Sequence, residues 1–396
     1  MARCRVDKSI ERLVVDGFTF PLGVYPVEQM TPRPGYTVSF ESADGGGDER
    51  DGPPHPGEDW EEWPDRYVWD ICITAPRVEA LFRALVALMP GRVFPILDVL
   101  GQDAYREIDP FVAYELVGLE RFLDAIRQYR GYFFEDGLVG FGAMSEDPFF
   151  YVFVDEHKVL TVRAATDLKD RVEKVLAAFD LEPLEHIAAA DAALHEHRSV
   201  LEAPSDRPDL LTPDEIVEDL RDLWGLSLNI DPDTNVDEDG SSLSIVGWRV
   251  VVRAVLPGEV IRYVEVLLTA ENLATAHELA VDAAQHLVEA ALDEDPPKGA
   301  RSTGTGGPAR LPGPDTPPSA ATPGSEGELV PADANDPSEE DDDENLAEIE
   351  PSVEIDVLGA DRIRPDDFPK ALAEFGAGGT PADFSLNRVC SAVWVE

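Results

Sequence analysis

The sequence predicts an α+β fold with two modules of mainly antiparallel sheet, each with helices on one face, plus a disordered acidic linker. Three observations lead to this prediction. Apolar residues alternate with polar ones in several short runs, as in half-buried strands. Elsewhere they recur at three- and four-residue spacing, as on one face of a helix. A stretch near residue 300 changes abruptly to Pro, Gly, Ser and acidic residues.

These patterns divide the 396-residue chain into six segments. They are an N-terminal arm and loop (1–64), a first α+β module (65–184), a helical connector and linker (185–210), a second α+β module (211–292), a disordered acidic linker (293–350) and a C-terminal docking segment (351–396).

The first module begins with a strand at 67–74, where Tyr67, Trp69 and Ile71 alternate with their neighbours. Pro76 then opens a helix, which Pro90 and Gly91 end, because proline is tolerated in the first turn of a helix and breaks its interior. The other elements predicted in this module are a strand at 92–100, a helix after Gly118, strands at 137–144, 149–154 and 159–164, and a helix at 167–179.

The connector and the second module follow. Residues 185–200 are rich in alanine and predict a helix. Thr212, Pro213 and Glu215 are typical of a helix start, as N-cap, first-turn proline and capping-box glutamate. Strands are predicted at 226–230, 243–256 and 260–269, with a hairpin turn at 257–258, and a long helix is predicted at 271–292.

Both modules are expected to run helix, three strands, helix. Similar Thr/Ala segments precede helices in both, at 164–166 and 268–270. This likeness suggests an internal duplication. The alternative is that threonine commonly caps helices after strands, without common ancestry.

The linker at 293–350 carries 16 acidic and 3 basic residues and has too few apolar side chains to order itself. The C-terminal segment regains strand and helix patterns. It is expected to dock on its own sheet or on the edge of a partner's sheet, and its own sheet is favoured because free apolar ends promote aggregation.

The formal net charge is -48, and most of it lies outside the linker. Such a surface suits solubility or high salt, or docking on a basic partner, and the sequence leaves these open. No Lys/Arg patch is present to neutralise phosphates, so direct nucleic-acid binding is not expected. No apolar run approaches the ~18 residues of a membrane span. With three scattered cysteines and no signal-like N-terminus, we expect a soluble cytoplasmic protein without membrane contact.

One loop resembles the start of a calcium site. Oxygen ligands occur at alternate positions, and such ligands suit a hard cation. Val236 and Ser242 stand where a calcium-binding EF-hand loop needs Gly and Glu, so the alternative is an acidic hairpin loop. The predicted ligands are Asp231, Asp233, Asn235 and Asp237. Ca²⁺ is the one cofactor that the sequence suggests.

The seven histidines include the unit His195-Glu196-His197. On the predicted helix its two imidazoles point apart, so they can bind one metal ion only if the segment is extended. His277 opens like a zinc-protease motif, but Val281 replaces the second histidine and excludes that site. Histidines with no ligand role are the favoured interpretation.

Trp60 and Trp63 lie in a polar stretch, which predicts exposed contact anchors. No nucleophile motif, dinucleotide fingerprint or phosphate loop is present, so the chain is not predicted to be an enzyme, although a dispersed active site stays open. The leading hypothesis is a non-catalytic protein-interaction module with a protein partner. The alternative is an enzyme or small-ligand binder with a site between the two modules.

Overall fold

The structure is a computed structural model, and two antiparallel sheets form most of it. It describes residues 3–43, 63–202, 206–207, 209–258, 260–294, 353–374 and 384–395. Trp60 and the predicted linker beyond residue 294 lie outside this part. The α+β prediction is confirmed.

The strands are β1 (Val14–Val15), β2 (Phe18–Thr19), β3 (Val24–Pro26), β4 (Gly35–Glu41), β5 (Arg66–Cys72), β6 (Arg92–Leu100), β7 (Ile108–Ala113), β8 (Val117–Gly118), β9 (Val139–Glu146), β10 (Phe149–Val154), β11 (Leu160–Ala165), β12 (His195–His197), β13 (Leu226–Leu228), β14 (Val246–Leu256), β15 (Val260–Ala270), β16 (Glu354–Ile363) and β17 (Arg388–Val395). The helices are α1 (Ala75–Val86), α2 (Leu119–Gln128), α3 (Arg130–Glu135), α4 (Lys169–Ala178), α5 (Pro213–Trp224), α6 (Leu273–Glu294) and α7 (Phe368–Glu374).

The large sheet has the strand order β13-β7-β6-β9-β10-β11-β5-β4, with β8 paired to β6. Helices α1, α2, α4 and α5 place their apolar stripes in one core with the inner residues of this sheet. In α1 the spacing of Val78, Leu81, Phe82 and Leu85 produces the stripe, and all four side chains are buried. The predicted helix and strand patterns of the first module therefore meet in one core.

Helix α5 and strand β13 join this large sheet rather than the second one. Trp224 stacks against Phe133, with ring centroids 5.9 Å apart, and β13 pairs with β7. The predicted order of helix, three strands, helix is present along the chain in both regions, but in the second region its elements are divided between the two sheets. Local periodicity indicates that α5 has an apolar face, but it does not indicate which core receives that face.

The small sheet has the order β16-β14-β15-β17. An alanine stripe on α6 lies against one face of it, since small side chains allow close approach, and α7 packs on the opposite face. A Cβ atom at Gly247 would collide with the Phe368 ring, so this close contact requires glycine. The C-terminal segment thus supplies both edge strands of its own chain's sheet.

A buried ion pair joins the two sheets. Arg362 of β16 donates to the carboxylate of Asp103, with Nε 2.9 Å from Oδ2, and its Nη1 donates to Asn235 Oδ1 at 3.0 Å. Arg221 of α5 donates to the carbonyl of Leu358 at 2.6 Å. These contacts fix β16 against the large-sheet unit.

The predicted helix at 185–200 is wrong. This stretch contains a 3-10 turn at Ala190–Ala192 and the short strand β12. Its backbone bonds to the N-terminal arm: the Arg33 N–H donates to Ala188 O, and the Val27 N–H donates to Leu194 O, both at 2.9 Å. Tertiary pairing overrides the helix propensity of alanine here, because propensity is a small energy per residue.

Among the described residues, no helix combines the length and the apolar character needed to cross a membrane.

A candidate three-histidine metal centre

Strand β12 turns the H-x-H unit into a pair of convergent side chains. Successive side chains of a strand point to opposite faces, so His195 and His197 share one face and Glu196 takes the other. Glu196 accepts a hydrogen bond from Tyr25 Oη at 2.7 Å. The pairing of β12 with β3 holds this alternation in place.

His157 comes from the turn between β10 and β11. The Asp155 carboxylate closes this turn by accepting from the Val159 N–H at 2.8 Å. Lys158 adopts a left-handed conformation, with φ of 65°, and its buried ammonium donates to Val139 O at 2.6 Å. The turn therefore has a defined shape, and it presents His157 to the face of β12 that carries the other two histidines.

The three imidazoles form a nearly three-fold arrangement, which we call the histidine cluster (His157, His195 and His197). Their ring centroids lie 4.8, 4.8 and 5.0 Å apart, and their planes cross at 74°, 72° and 73°. Nε2 of His157 lies 3.0 Å from Nε2 of His195. One nitrogen from each ring lies within 4.8 Å of the others.

Each ring is oriented through its Nδ1 atom. His195 Nδ1 lies 2.8 Å from Ala193 O, and His197 Nδ1 lies 2.7 Å from Gly137 O. A carbonyl only accepts, so both Nδ1 atoms carry the proton and both Nε2 atoms keep a lone pair. This is the arrangement by which histidine ligands are fixed in metal sites.

His157 is oriented by carboxylates instead. Its Nδ1 lies 3.3 Å from Glu156 Oε1 and 3.6 Å from Asp155 Oδ2. Burial lowers the pKa of His157, but attraction to Asp155 and Glu156 outweighs it, and the net pKa is raised. Burial lowers the pKa of His197. The carboxylates thus favour a cation beside His157.

The short Nε2 contact between His157 and His195 requires either a shared proton or a metal ion. Two lone pairs 3.0 Å apart repel each other unless a proton or a metal ion lies between them. In tetrahedral zinc sites Zn–N is about 2.0–2.1 Å, which places ligand nitrogens ~3.3 Å apart and ring centroids ~5.2 Å apart. The observed centroid spacings are slightly smaller than this, and the three nitrogens lie within 4.8 Å of one another, so small shifts of the rings would accommodate an ion.

The loop predicted to bind calcium is arranged differently. Asn235 is buried, donates to Ser244 O at 3.0 Å and accepts from Arg362. Asp231 and Asp237 accept hydrogen bonds from backbone N–H groups of their own loop, at 3.0 Å for Asp233 N and 2.8 Å for Ser241 N. The calcium hypothesis stays a prediction, and these contacts use several of the oxygens it requires.

Trp63 is half-buried in an aromatic and cationic surface. Its ring lies 5.3 Å from the Phe149 ring, and the Arg66 and Arg163 guanidiniums lie 5.0 and 5.2 Å from its centroid. The side chain predicted as an exposed contact anchor is thus engaged within the chain. Trp60, its predicted companion, lies outside the described residues.

Sequence reasoning identified the H-x-H unit but missed the cluster. The helix prediction for 185–200 separated His195 from His197, although H-x-H itself has the two-residue period of a strand. His157 lies 38 residues before His195. No local pattern connects residues so far apart, because the β10–β11 turn and β12 meet only in the fold.

Comparison with known proteins finds no matching family model, no matching curated protein and no matching solved structure.

Proposed function

We propose that the protein binds a divalent transition-metal ion, with Zn²⁺ the best suited, through His157, His195 and His197. One observation carries this proposal: one nitrogen from each of the three rings lies within 4.8 Å of the other two. Nδ1 of His195 and of His197 is already held by a backbone carbonyl, and Nδ1 of His157 lies 3.3 Å from a carboxylate oxygen. Imidazole nitrogen suits zinc, copper, nickel and iron, and three protein ligands leave one position for water or another ligand.

The surroundings of the cluster support a cation. Asp155 and Glu156 flank His157 with two carboxylates, and Lys158 supplies one nearby positive charge. If all three are ionised, the local balance favours a doubly charged ion over an anion. The side chain of His157 is only 16% exposed, so an ion there would lose most of its water and be held by protein ligands.

The metal would connect separate parts of the fold. His195 and His197 belong to the small pairing of β3 with β12, whereas His157 belongs to a turn of the large sheet. A bound ion therefore stabilises the attachment of the N-terminal arm to the sheet. Three ligands with an open position are also the arrangement of catalytic zinc, and the substrate of such a reaction is left open.

Equilibrium dialysis against Zn²⁺ tests the proposal directly. Chelator-treated full-length protein should take up one tightly held ion per chain. His195→Ala should abolish this uptake, whereas His286→Ala, at an exposed position of α6, should not change it. Equal uptake by both variants would place the zinc elsewhere, on the acidic surface, and would refute the site.

The interaction function predicted from sequence stays a second proposal. Edge strand β4 supports it, because Val38 and Phe40 are 39% and 53% exposed there, and an exposed apolar edge strand can pair with another chain. The test is a pull-down at the salt of the source, in which Phe40→Lys should remove a stoichiometric partner. Retention of that partner by Phe40→Lys would contradict this surface.

The alternative of a ligand site between the modules has less support. The cavity where the two sheets meet has a volume of about 180 Å³ and is lined by ion-paired side chains such as Arg253, Asp222 and Asp356. Typical ligand pockets hold ~300 Å³ or more. The predicted cytoplasmic location and lack of nucleic-acid binding stay predictions.

A further inference from the structure

A second feature lies on another part of the large-sheet unit, where the N-terminal segment crosses the α2–α3 junction. An open cavity of about 560 Å³ is found there. This volume is within the range of small-molecule sites, ~300–1,000 Å³. Its lining includes Arg5, Lys8, Arg12, Arg130, Val6 and Ile10.

The charge of this lining is opposite to that of the chain. Acidic residues outnumber basic ones by 80 to 32 in the sequence, yet four cations and one carboxylate line the cavity. The carboxylate, Asp7, is turned into its own loop and accepts from the Ser9 N–H at 2.7 Å. Three of these cations pair with glutamates that do not line the cavity, namely Glu202, Glu79 and Glu135. The lining itself is therefore cationic, which is unusual for a chain with so many acidic residues.

The arginines keep donors available for a ligand. Arg5 and Arg130 bind Glu202 and Glu79 through Nε, and no other hydrogen bond of their guanidiniums is found within the described residues. Neither glutamate lines the cavity. Each carboxylate therefore orients its guanidinium while leaving the two terminal amino groups uncommitted, and those groups are the ones that bind oxyanions in a fork.

Arg12 has a different role. Both of its terminal amino groups donate to the Glu135 carboxylate, at 2.9 and 2.7 Å, and one also donates to Phe20 O at 3.0 Å. It holds the N-terminal segment in place, and its charge is balanced by Glu135. Lys8 is exposed at the rim and adds a mobile ammonium.

The rest of the lining is apolar. Val6, Ile10 and Leu22 contribute hydrocarbon, and the buried thiol of Cys4 adds to this surface. Gly131 allows the N-terminal segment to lie close, because a Cβ atom there would be 2.8 Å from Val6 Cγ2. The cavity thus combines an apolar wall with a cationic rim.

We propose that this cavity binds a small amphipathic anion, with a phosphate or carboxylate group on Arg5, Arg130 and Lys8 and an apolar body against Val6, Ile10 and Leu22. This site is separate from the histidine cluster and does not depend on a bound metal.

The experiment is isothermal titration of the full-length protein with octyl phosphate, octanoate, inorganic phosphate and octyl glucoside. Octyl phosphate or octanoate should bind, and whichever binds more tightly identifies the headgroup. Inorganic phosphate lacks the apolar body and octyl glucoside lacks the charge, so both should bind at least about fivefold more weakly, a difference of ~1 kcal/mol.

Variants then locate the site. Arg5→Gln and Arg130→Gln should each weaken binding of the preferred anion by about fivefold or more, since a charge-assisted hydrogen bond is lost. The matched control is Arg127→Gln, because Arg127 is exposed on α2, pairs with Asp124 and does not line the cavity. Absence of binding, equal binding of octyl glucoside, or equal effects in all three variants would each overturn the proposal.

Discussion

The histidine cluster and the acidic loop at residues 231–237 both contain metal-type ligands, yet they differ in what their donor atoms already do. In the cluster, Nδ1 of His195 and of His197 is held by the backbone, and one nitrogen from each ring lies within 4.8 Å of the others. In the loop, backbone amides and Arg362 donate to one side-chain oxygen each of Asp231, Asp237 and Asn235. Suitable ligand types in a short stretch of sequence therefore do not by themselves predict a metal site. The ligand atoms must also lie close together and keep lone pairs that are not used in hydrogen bonds.

The largest expected effect concerns the ion pair that locks the loop. Arg362→Met should lower the free energy of unfolding by about 3 kcal/mol, because it leaves the fully buried Asp103 carboxylate with only the more distant Arg106, 3.8 Å away, as a cationic partner. Urea unfolding measures this change. Arg364→Met, at an exposed position two residues later, is the control and should have little effect. If the two variants lose similar stability, the ion pair of Arg362 does not stabilise the loop at residues 231–237.

Zinc should stabilise the protein through the cluster. At free Zn²⁺ about 100-fold above the dissociation constant, the free energy of unfolding should rise by about 2.7 kcal/mol. Thermal unfolding of wild type and of His157→Gln, with and without Zn²⁺, measures the difference. We expect the rise to vanish in His157→Gln. A similar rise in both proteins would show that zinc acts outside the cluster.

Low pH should reduce the destabilising effect of the Asp361 carboxylate on the folded state. Burial, with repulsion from Asp109 and Asp103, raises the pKa of Asp361 to about 6, and Arg106 and the Gln102 backbone only partly oppose this. The ionised form is disfavoured in the folded state, so its penalty is full above pH 6 and disappears below the unfolded pKa of ~3.9. Asp361→Asn should therefore stabilise the protein by about 1–3 kcal/mol at pH 8.

The pH dependence of that gain is the critical observation for Asp361. The stability gained from Asp361→Asn should shrink steadily between pH 6 and 4, because wild-type Asp361 becomes neutral over this range. Denaturant unfolding at pH 8, 6 and 4 follows it. A gain that stays constant with pH would attribute the effect to packing rather than to charge.

The carboxylate behind His157 should tune metal affinity. Glu156→Gln keeps the shape and removes the charge, so zinc binding should weaken by about tenfold. Glu196→Gln is a close control, since Glu196 lies between two ligands in sequence but faces away and binds Tyr25. Competition with a chromogenic chelator measures both affinities. Equal weakening in the two variants would indicate a general electrostatic effect.

Calcium should have the smallest effect. Because three of the loop's side-chain oxygens already accept hydrogen bonds, we expect millimolar Ca²⁺ to shift the midpoint of thermal unfolding by less than about 1 °C, well below the shift due to zinc. A larger shift, lost in Asp231→Asn, would restore the calcium hypothesis.

Local sequence patterns correctly predicted the elements that depend on residues close together in the chain. The α1 stripe, the capping box of α5 with Thr212 and Glu215, and the hairpin turn at Pro257 and Gly258 are found as predicted. Gly258 has φ of 87°, a conformation that glycine adopts readily. These features depend on neighbours a few residues apart.

The features that the sequence did not predict depend on distant partners. Residues 185–200 are extended because the N-terminal arm pairs with them, and α5 joins the large sheet because Phe122 and Phe133 receive Trp224. The histidine cluster depends on that extended stretch. His195 and His197 form the H-x-H unit and can be found in the sequence, whereas His157 joins them only in the folded protein.

X-ray absorption spectroscopy of the zinc-loaded full-length protein tests the central claim most directly. We expect a first shell of three nitrogens at about 2.0–2.1 Å, with the outer-shell scattering of imidazole rings and one further light ligand. A first shell of carboxylate oxygens without imidazole scattering, or a spectrum unchanged in His195→Ala, would contradict it.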